Sequence, residues 1–232
     1  MTARTPAQAI AEAVSALVHD HDLTGLLAQL VQDCAELLPA DAAALLVRGA
    51  DGTFELLSAT SHRVRELELY QAQRDAGPCV DAARSGAAVS GVGADEIEGR
   101  WHDVGREIVA AGFLAVHAFP LIWRGRALGG LTVFAADAEP MEASSLLLAQ
   151  SFADFATLAI VQPTLVGDED LVQQITDALE GRVVIEQAKG VLAYVVDLDM
   201  AAAYVELQAR AEADGSTLSD AARNVIREAR SR

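Results

Sequence analysis

The chain has almost no lysine: sixteen arginines accompany a single lysine, Lys189, in 232 residues. Cysteine is nearly absent too. Cys34 and Cys79 are far apart, which excludes a spaced metal cluster and a disulfide-stapled secreted scaffold. Aromatic residues make up 5% of the chain and there are six prolines. No long hydrophobic run stands out. The longest apolar stretch, Ile108 to Trp123, is short for a membrane span and contains His117 and Pro120. The segment Met1 to Val18 carries Glu12 early and has no apolar run ending in a cleavage site, so it does not read as a signal peptide. The expected location is the cytoplasm, with no membrane partner. Positive charge is also scarce. The net charge is −17, with −11 before Asp168 and −6 from there on, so any nucleic-acid site must be a local patch.

Apolar residues, by contrast, are plentiful at 52%, enough for a sizeable core in one large or two modest domains. Helical spacing of apolar residues runs from Ala7 to Leu38, with Thr24-Gly25 as a point of interruption. Ala42 to Val47 and Phe54 to Ser58 read as a hairpin around Asp51-Gly52. Helices are expected at His62 to Ala72, Cys79 to Ser85, Trp101 to Ala111 and Met141 to Ile160. Ala87 to Ser90 reads as a short strand. Phe113 to Leu121 and Ala127 to Ala135 read as antiparallel strands joined through Trp123-Arg124-Gly125-Arg126. Beyond Gln162 to Asp168, a linker by its Pro163 and Gly167, no strand is expected. Three helices follow: Asp168 to Val196, Asp199 to Ala213 and Leu218 to Ala229.

Three segments of the first part are similar to one family: Asp75-Ala76-Gly77-Pro78-Cys79-Val80-Asp81-Ala82, Ala110 to Val116, and Pro120 to Phe134. From about Leu23 to Ile160 the chain resembles a GAF domain, the small-molecule-sensing relative of the PAS fold. The resemblance implies a central antiparallel sheet with helices on one side and a ligand pocket on the other, without identifying the ligand or any cofactor. Cys79, Trp101, His102 and His117 are the candidate pocket residues; each also has a plain reading as a core or strand residue. Two separated cysteines speak against a sulfoxide reductase, which needs clustered ones.

The last sixty residues contain Arg182-x-x-Ile185-x-Gln187-Ala188-Lys189-Gly190, followed by Ala203-Tyr204, Leu207, Ala211 and Leu218 to Ala222. On these residues they resemble the ANTAR domain, an RNA-binding module of bacterial antiterminators. Two positions depart from the pattern. Gly181 stands where the family has Ser or Asn, and Gln208 stands where it has a basic residue, which puts one phosphate contact in doubt. The RNA-binding candidates are Arg182, Gln187, Lys189, Gly190, Tyr204, Arg210, Arg223 and Arg227. No catalytic or metal-binding residue is expected.

The physical pattern of the long helix stands apart from the likeness. At about 100° per residue, Leu171, Val172, Ile175, Ala178 and Leu179 form one apolar stripe. After Arg182 the stripe passes to nearly the opposite side, through Val184, Ile185, Ala188, Val191, Leu192 and Val195. The first half is therefore expected to pair with a helix of a second subunit, and the second half to pack on the two short helices. Arg182, Lys189 and Gly190 are left on an exposed strip, where Gly190 costs about 1 kcal/mol relative to Ala. Tyr204 either stacks on a base or closes the core edge. Arg223, Arg227 and Arg230 either grip phosphates or oppose the helix dipole.

The expected fold is α+β: an N-terminal helix (1–22), a GAF-like sheet with flanking helices (23–162), a linker (163–167) and an all-α three-helix ANTAR-like domain (168–232). The resemblance implies a regulator of transcription antitermination. As a homodimer it binds paired hairpins in the leader of a nascent transcript, under control of a GAF sensor and its unidentified small-molecule ligand. A ligand-responsive DNA-binding regulator and a GAF-type redox enzyme using Cys79 are the alternatives.

Overall fold

The computed structural model describes residues 4–19, 22–161 and 168–230. The segment expected to be the linker, 163–167, lies outside them. The first apolar stretch forms two helices, α1 (Pro6–His19) and α2 (Leu23–Leu37). Asp22 starts the second by accepting a hydrogen bond from the Gly25 amide at 3.0 Å, the usual work of an N-cap carboxylate. The hairpin follows as β1 (Ala42–Arg48) and β2 (Phe54–Ala59), with Gly52 at φ 84° in the turn. Then come α3 (His62–Arg74), α4 (Pro78–Ser85), β3 (Val89–Val92) and α5 (Ala94–Ala110). The helix expected from Trp101 begins seven residues earlier, at Ala94, because it is two helical pieces joined by a kink at His102 (φ 47°, ψ −111°). The pair β4 (Ala115–Trp123) and β5 (Arg126–Ala135) leads into α6 (Ala143–Val161). The last three helices are α7 (Asp168–Val196), α8 (Met200–Asp214) and α9 (Leu218–Arg230).

The five strands form one antiparallel sheet in the order β2-β1-β5-β4-β3. Alternation along each strand sends side chains to two cores. Leu45, Val47, Phe119, Leu121, Leu131 and Val133 face a layer built from α2 and α6. Leu46, Val116, Ala118 and Phe134 face the opposite layer of α3, α4 and α5. Helix α6 is long and apolar enough to cross a membrane by length and composition. Here its Phe152, Ala153, Ala156 and Ile160 are built into the first core. A third core, of Ile185, Ala188, Leu192, Ala203, Leu207, Ala222 and Val225, binds the second half of α7 to α8 and α9.

The first half of α7 departs from expectation. Ile175 and Ala178 are buried in the core of α2 and α6, so this stripe is covered by the chain's own helices rather than by a second subunit. The side chain of Leu171 lies outside what is described. The union is sealed by polar contacts. Thr24 Oγ1 donates to the Ala178 carbonyl at 3.2 Å. Asp22 accepts from the backbone amide and the hydroxyl of Ser219, at 3.2 and 3.1 Å, so one carboxylate caps helices of both ends of the chain.

Candidate functional site

Two places gather polar chemistry: a cleft between the helical tail and the sheet edge, and a buried polar cluster inside the second core.

The cleft has a volume of about 500 Å³ and runs between β2, α2 and α3 on one wall and α7 and α8 on the other. Arg182 and Lys189 are seven residues apart on α7, two turns, and so share a face. Lys189 Nζ sits 3.0 Å from Glu186 Oε1 and 5.6 Å from the centre of the Tyr204 ring, a cation over an aromatic face. Glu186 is also paired with Arg65 of α3. Arg182 donates to the Leu56 carbonyl of β2. Burial lowers the pKa of Arg182, and the neighbouring Arg65 lowers it further. For Glu186 burial works upward, but Lys189 and Arg65 outweigh it and hold the carboxyl below its ordinary range.

The expected exposed strip is therefore only partly exposed. The Lys189 side chain retains 13% of its accessibility, and Arg182 is half-buried against β2. The reason is the first half of α7: once its stripe is buried on α2, the strip two turns on must face the sheet edge. Gly190 is exposed, with open space where a Cβ would stand, and Gln187 is exposed on the same outer side. Tyr204 lies in the cleft wall with its hydroxyl buried and without a hydrogen-bond partner. Arg210 pairs with Glu206 and Glu228, away from the cleft. Arg223 is exposed and pairs with Asp220, and Arg227 is exposed on the same helix. The structure thus joins Arg182, Lys189 and Tyr204 and leaves the other RNA candidates on separate faces.

Both departures from the ANTAR pattern fall at this junction. A Cβ at Gly181 would stand 2.4 Å from Thr24 Oγ1, so any larger residue forces Thr24 or α7 to shift from the close approach that glycine permits. Gln208 Nε2 donates to Gln29 Oε1 of α2 at 2.9 Å. Arg65 and Gln29 were not found from sequence, since nothing in their spacing links them to residues more than a hundred positions away.

In the second core, the candidate pocket residues do not converge. Cys79 and Trp101 are buried in it; Trp101 Nε1 donates to Asp81 at 2.9 Å and its ring edge lies against Gly91. His102 is exposed at the kink. His117 points to the other face of the sheet, as the alternation of β4 requires, and its Nδ1 is 2.8 Å from Ser90 Oγ. Burial lowers the His117 pKa.

Around Cys79 sit polar groups that sequence reading missed: Glu68, Gln71 and Thr132, all fully buried. Gln71 Oε1 accepts from the Cys79 amide at 3.2 Å. Burial pushes the Glu68 carboxyl up to about 8, against the smaller downward effects of side-chain hydrogen bonds to Thr132 and Gln71. Burial, and then Glu68, push the Cys79 thiol well above its ordinary value.

A GAF domain profile matches residues 22–160. The chain belongs to the GAF domain family. An ANTAR domain profile matches residues 173–226, so a GAF sensory domain is followed by an ANTAR regulatory domain. The fold is similar to solved GAF domains. That of an Acinetobacter phosphoenolpyruvate-protein phosphotransferase superposes with a TM-score of 0.55 at 13% identity, covering 72% of this chain and 99% of that one. The phycocyanobilin-bound GAF domain of a cyanobacterial phytochrome gives 0.54 at 13% identity, covering 71% and 98%. At such identities the likeness is one of fold. A search of curated proteins finds no significant match.

Proposed function

We propose that this GAF–ANTAR chain is an RNA-binding regulator of transcription antitermination. In this reading its ANTAR helices bind paired hairpins of a leader transcript, and its GAF domain holds the RNA face closed until a small ligand binds. One observation carries the proposal. Arg182, Lys189 and Tyr204 belong to the ANTAR pattern and line one cleft wall, with Lys189 over the Tyr204 ring and Arg182 two turns away along α7. RNA loops are bound by such sets, with cations on phosphates and an aromatic under a splayed base. The opposite wall of the cleft is the GAF domain's own β2, α2 and α3, so RNA and that wall compete for the same side chains. Ligand control then needs different ligand affinity in the closed and open arrangements.

A protein that acts on a nascent transcript works in the cytoplasm. A homodimer belongs to the same proposal. Val183, Gln187, Gly190 and Tyr194 share the outer face of α7; Tyr194 is 89% exposed, and Gly190 leaves room for a second backbone. The redox alternative has less support, because the Cys79 thiol is sealed and its raised pKa disfavours the thiolate that such chemistry uses.

The test is binding of the full chain to a tandem-hairpin RNA and to duplex DNA across a salt series, with Lys189→Ala and Arg182→Ala alongside. Preference for the RNA, affinity that falls with salt, and a marked loss in both variants are expected. Equal binding to duplex DNA would favour a DNA-binding regulator. No binding of either nucleic acid by the wild type, with or without the opening variant Gly181→Ser, would overturn the RNA reading.

A further inference from the structure

The cleft between α7 and the sheet edge has a charged lining that is largely withdrawn from water. The side chains of Arg65 and Glu186 keep 22% of their accessibility and that of Lys189 keeps 13%, while Arg182 is half-buried. These are three cations to one carboxylate. Glu186 serves Arg65 with one oxygen and Lys189 with the other. Arg182 donates to the Leu56 carbonyl, a neutral acceptor. The other acids of the lining, Glu36 and Asp199, are exposed, as is His62, and water screens charges placed there. Glu55 of β2 acts on Arg182 from outside the lining. Together with Glu186 it offsets only part of the effect by which burial, and then Arg65, lower the Arg182 pKa.

The chemistry of an occupant follows from that charge. Charges withdrawn from water are costly without a counter-charge, and the three cations exceed Glu186 by two. The excess matches a dianion. A guanidinium presents its donors as a planar fork, which phosphate oxygens accept in pairs. A phosphate monoester carries close to two negative charges at neutral pH, whereas each backbone phosphate of RNA carries one. The volume of about 500 Å³ is in the range of small-molecule sites and exceeds what a bare phosphate fills, so there is room for an organic body. The rest of the lining mixes the hydroxyls of Thr60 and Ser61 and the amides of Gln29 and Gln208 with Ala28 and Leu57, which suits a small hydroxylated one.

We propose that the closed cleft binds one small phosphate monoester of the sugar-phosphate class, with Arg65, Arg182 and Lys189 on its phosphate. This deepens the regulation of the proposed RNA face, and its effect on RNA rests on that reading. Arg65 belongs to α3 of the GAF domain, and Arg182 and Lys189 belong to α7 of the ANTAR domain. Docking of α7 is what gathers the three, so a ligand held by all of them favours the closed arrangement over the open one. It also occupies cations that would meet RNA phosphates. Ligand and RNA therefore weaken each other's binding by the same factor. The phosphate ligand is a second input, opposite in sign to the GAF ligand that opens the cleft.

The full chain is titrated by calorimetry with ribose 5-phosphate and with inorganic phosphate, without RNA and at constant ionic strength. Ribose and sodium chloride are the controls for the organic body and for plain screening. Ribose 5-phosphate is expected to bind once per chain, more tightly than inorganic phosphate, and to slow amide exchange in the first half of α7. Arg65→Gln and Arg182→Gln should each weaken it roughly ten- to a hundred-fold, as loss of a charge-assisted hydrogen bond does, while still unfolding cooperatively. Arg223→Gln, on a separate exposed face, should bind as the wild type does. No binding to the folded wild type, an effect matched by sodium chloride, binding retained in either cleft variant, or an equal loss in Arg223→Gln would each overturn the proposal. In a second arm, saturating ribose 5-phosphate should lower the affinity for tandem-hairpin RNA at fixed ionic strength, and RNA bound equally well with it would overturn the regulatory role. Because the titration contains no RNA, its failure is distinct from failure of the RNA reading, which shows as no RNA binding by the ligand-free chain.

Discussion

Glu68→Gln should stabilise the protein at neutral pH and flatten its pH dependence. The folded carboxyl titrates at about 8 and the unfolded one at its ordinary 4.5. Between those values the native state holds a proton that the unfolded chain has released. Stability contributed by this group is therefore fully present below 4.5 and is lost as the pH rises to 8. At about 1.36 kcal/mol for each pH unit crossed inside that window, the loss between pH 5 and pH 7 is roughly 2–3 kcal/mol. Glutamine at 68 keeps the buried shape and cannot ionise, so it removes this slope. Asp33 also has a pKa raised by burial and adds a slope of the same sign, but it is present in both proteins and cancels in the difference. The assay is thermal unfolding of wild type and variant at pH 5, 6, 7 and 8 in sodium buffers. The curves should nearly meet at pH 5. At pH 7 the variant should lead by roughly 5–10 °C, taking about 2–4 °C per kcal/mol for a chain of this size. Parallel curves across the whole range would refute the reasoning, because they would mean that Glu68 is ionised in the folded state.

The junction between the domains makes its own predictions. Gly181→Ser should push α7 away from Thr24, weaken the docking by about 1–3 kcal/mol and speed amide exchange in the first half of α7; unchanged exchange would show that the close approach is not needed. The same variant should bind tandem-hairpin RNA several-fold more tightly than wild type. Tyr204→Phe removes a buried hydroxyl that has no partner, so its unfolding midpoint should be unchanged or higher, within about 1 kcal/mol; a clear loss would reveal a partner for the hydroxyl. In the sensory core, Gly91→Ala puts a methyl 2.6 Å from the Trp101 ring and should cost about 1–3 kcal/mol with a shift in tryptophan fluorescence.

Local order was largely legible in the sequence, and long-range juxtaposition was not. The hairpin at Asp51-Gly52, the strand pair through Gly125 and the three tail helices follow from periodicity and turn residues, and the observed elements differ from them by a few residues at their ends. The change of buried face along α7 was legible too, because Ile175 and Ala178 against Ile185 and Ala188 is a pattern of spacing alone. What covers the first face was not. Periodicity shows that a stripe is buried without naming its partner, and a second subunit would leave the same spacing as the chain's own α2 and α6. The start of α5 was missed because Gly93 and Gly99 weaken the helical signal and His102 breaks its period. In the sensory site, Cys79 and Trp101 stand out by rarity, while Glu68 and Gln71 look like the solvated face of a polar helix. Only the sheet's placement over α3 shows that these two point inward.

The two positions where this chain leaves the ANTAR pattern give the closed arrangement its physical meaning. A serine or asparagine at 181 would collide with α2, and a basic side chain at 208 would meet Gln29 in a wall that already gathers Arg65, Arg182 and Lys189. Glycine removes the first obstacle. The neutral amide at 208 converts the second into a hydrogen bond. Each change favours docking on the GAF domain, the second by replacing a cation with a neutral hydrogen-bonding amide. Docking also gathers Arg65, Arg182 and Lys189 around Glu186; burial and then Arg65 lower the pKa of Arg182, while Glu186 and Glu55 offset part of that effect. Arg65, which pairs with Glu186 across the cleft, and the buried Glu68 sit one turn apart on α3, so that layer is the expected route by which the proposed ligand control would reach the cleft.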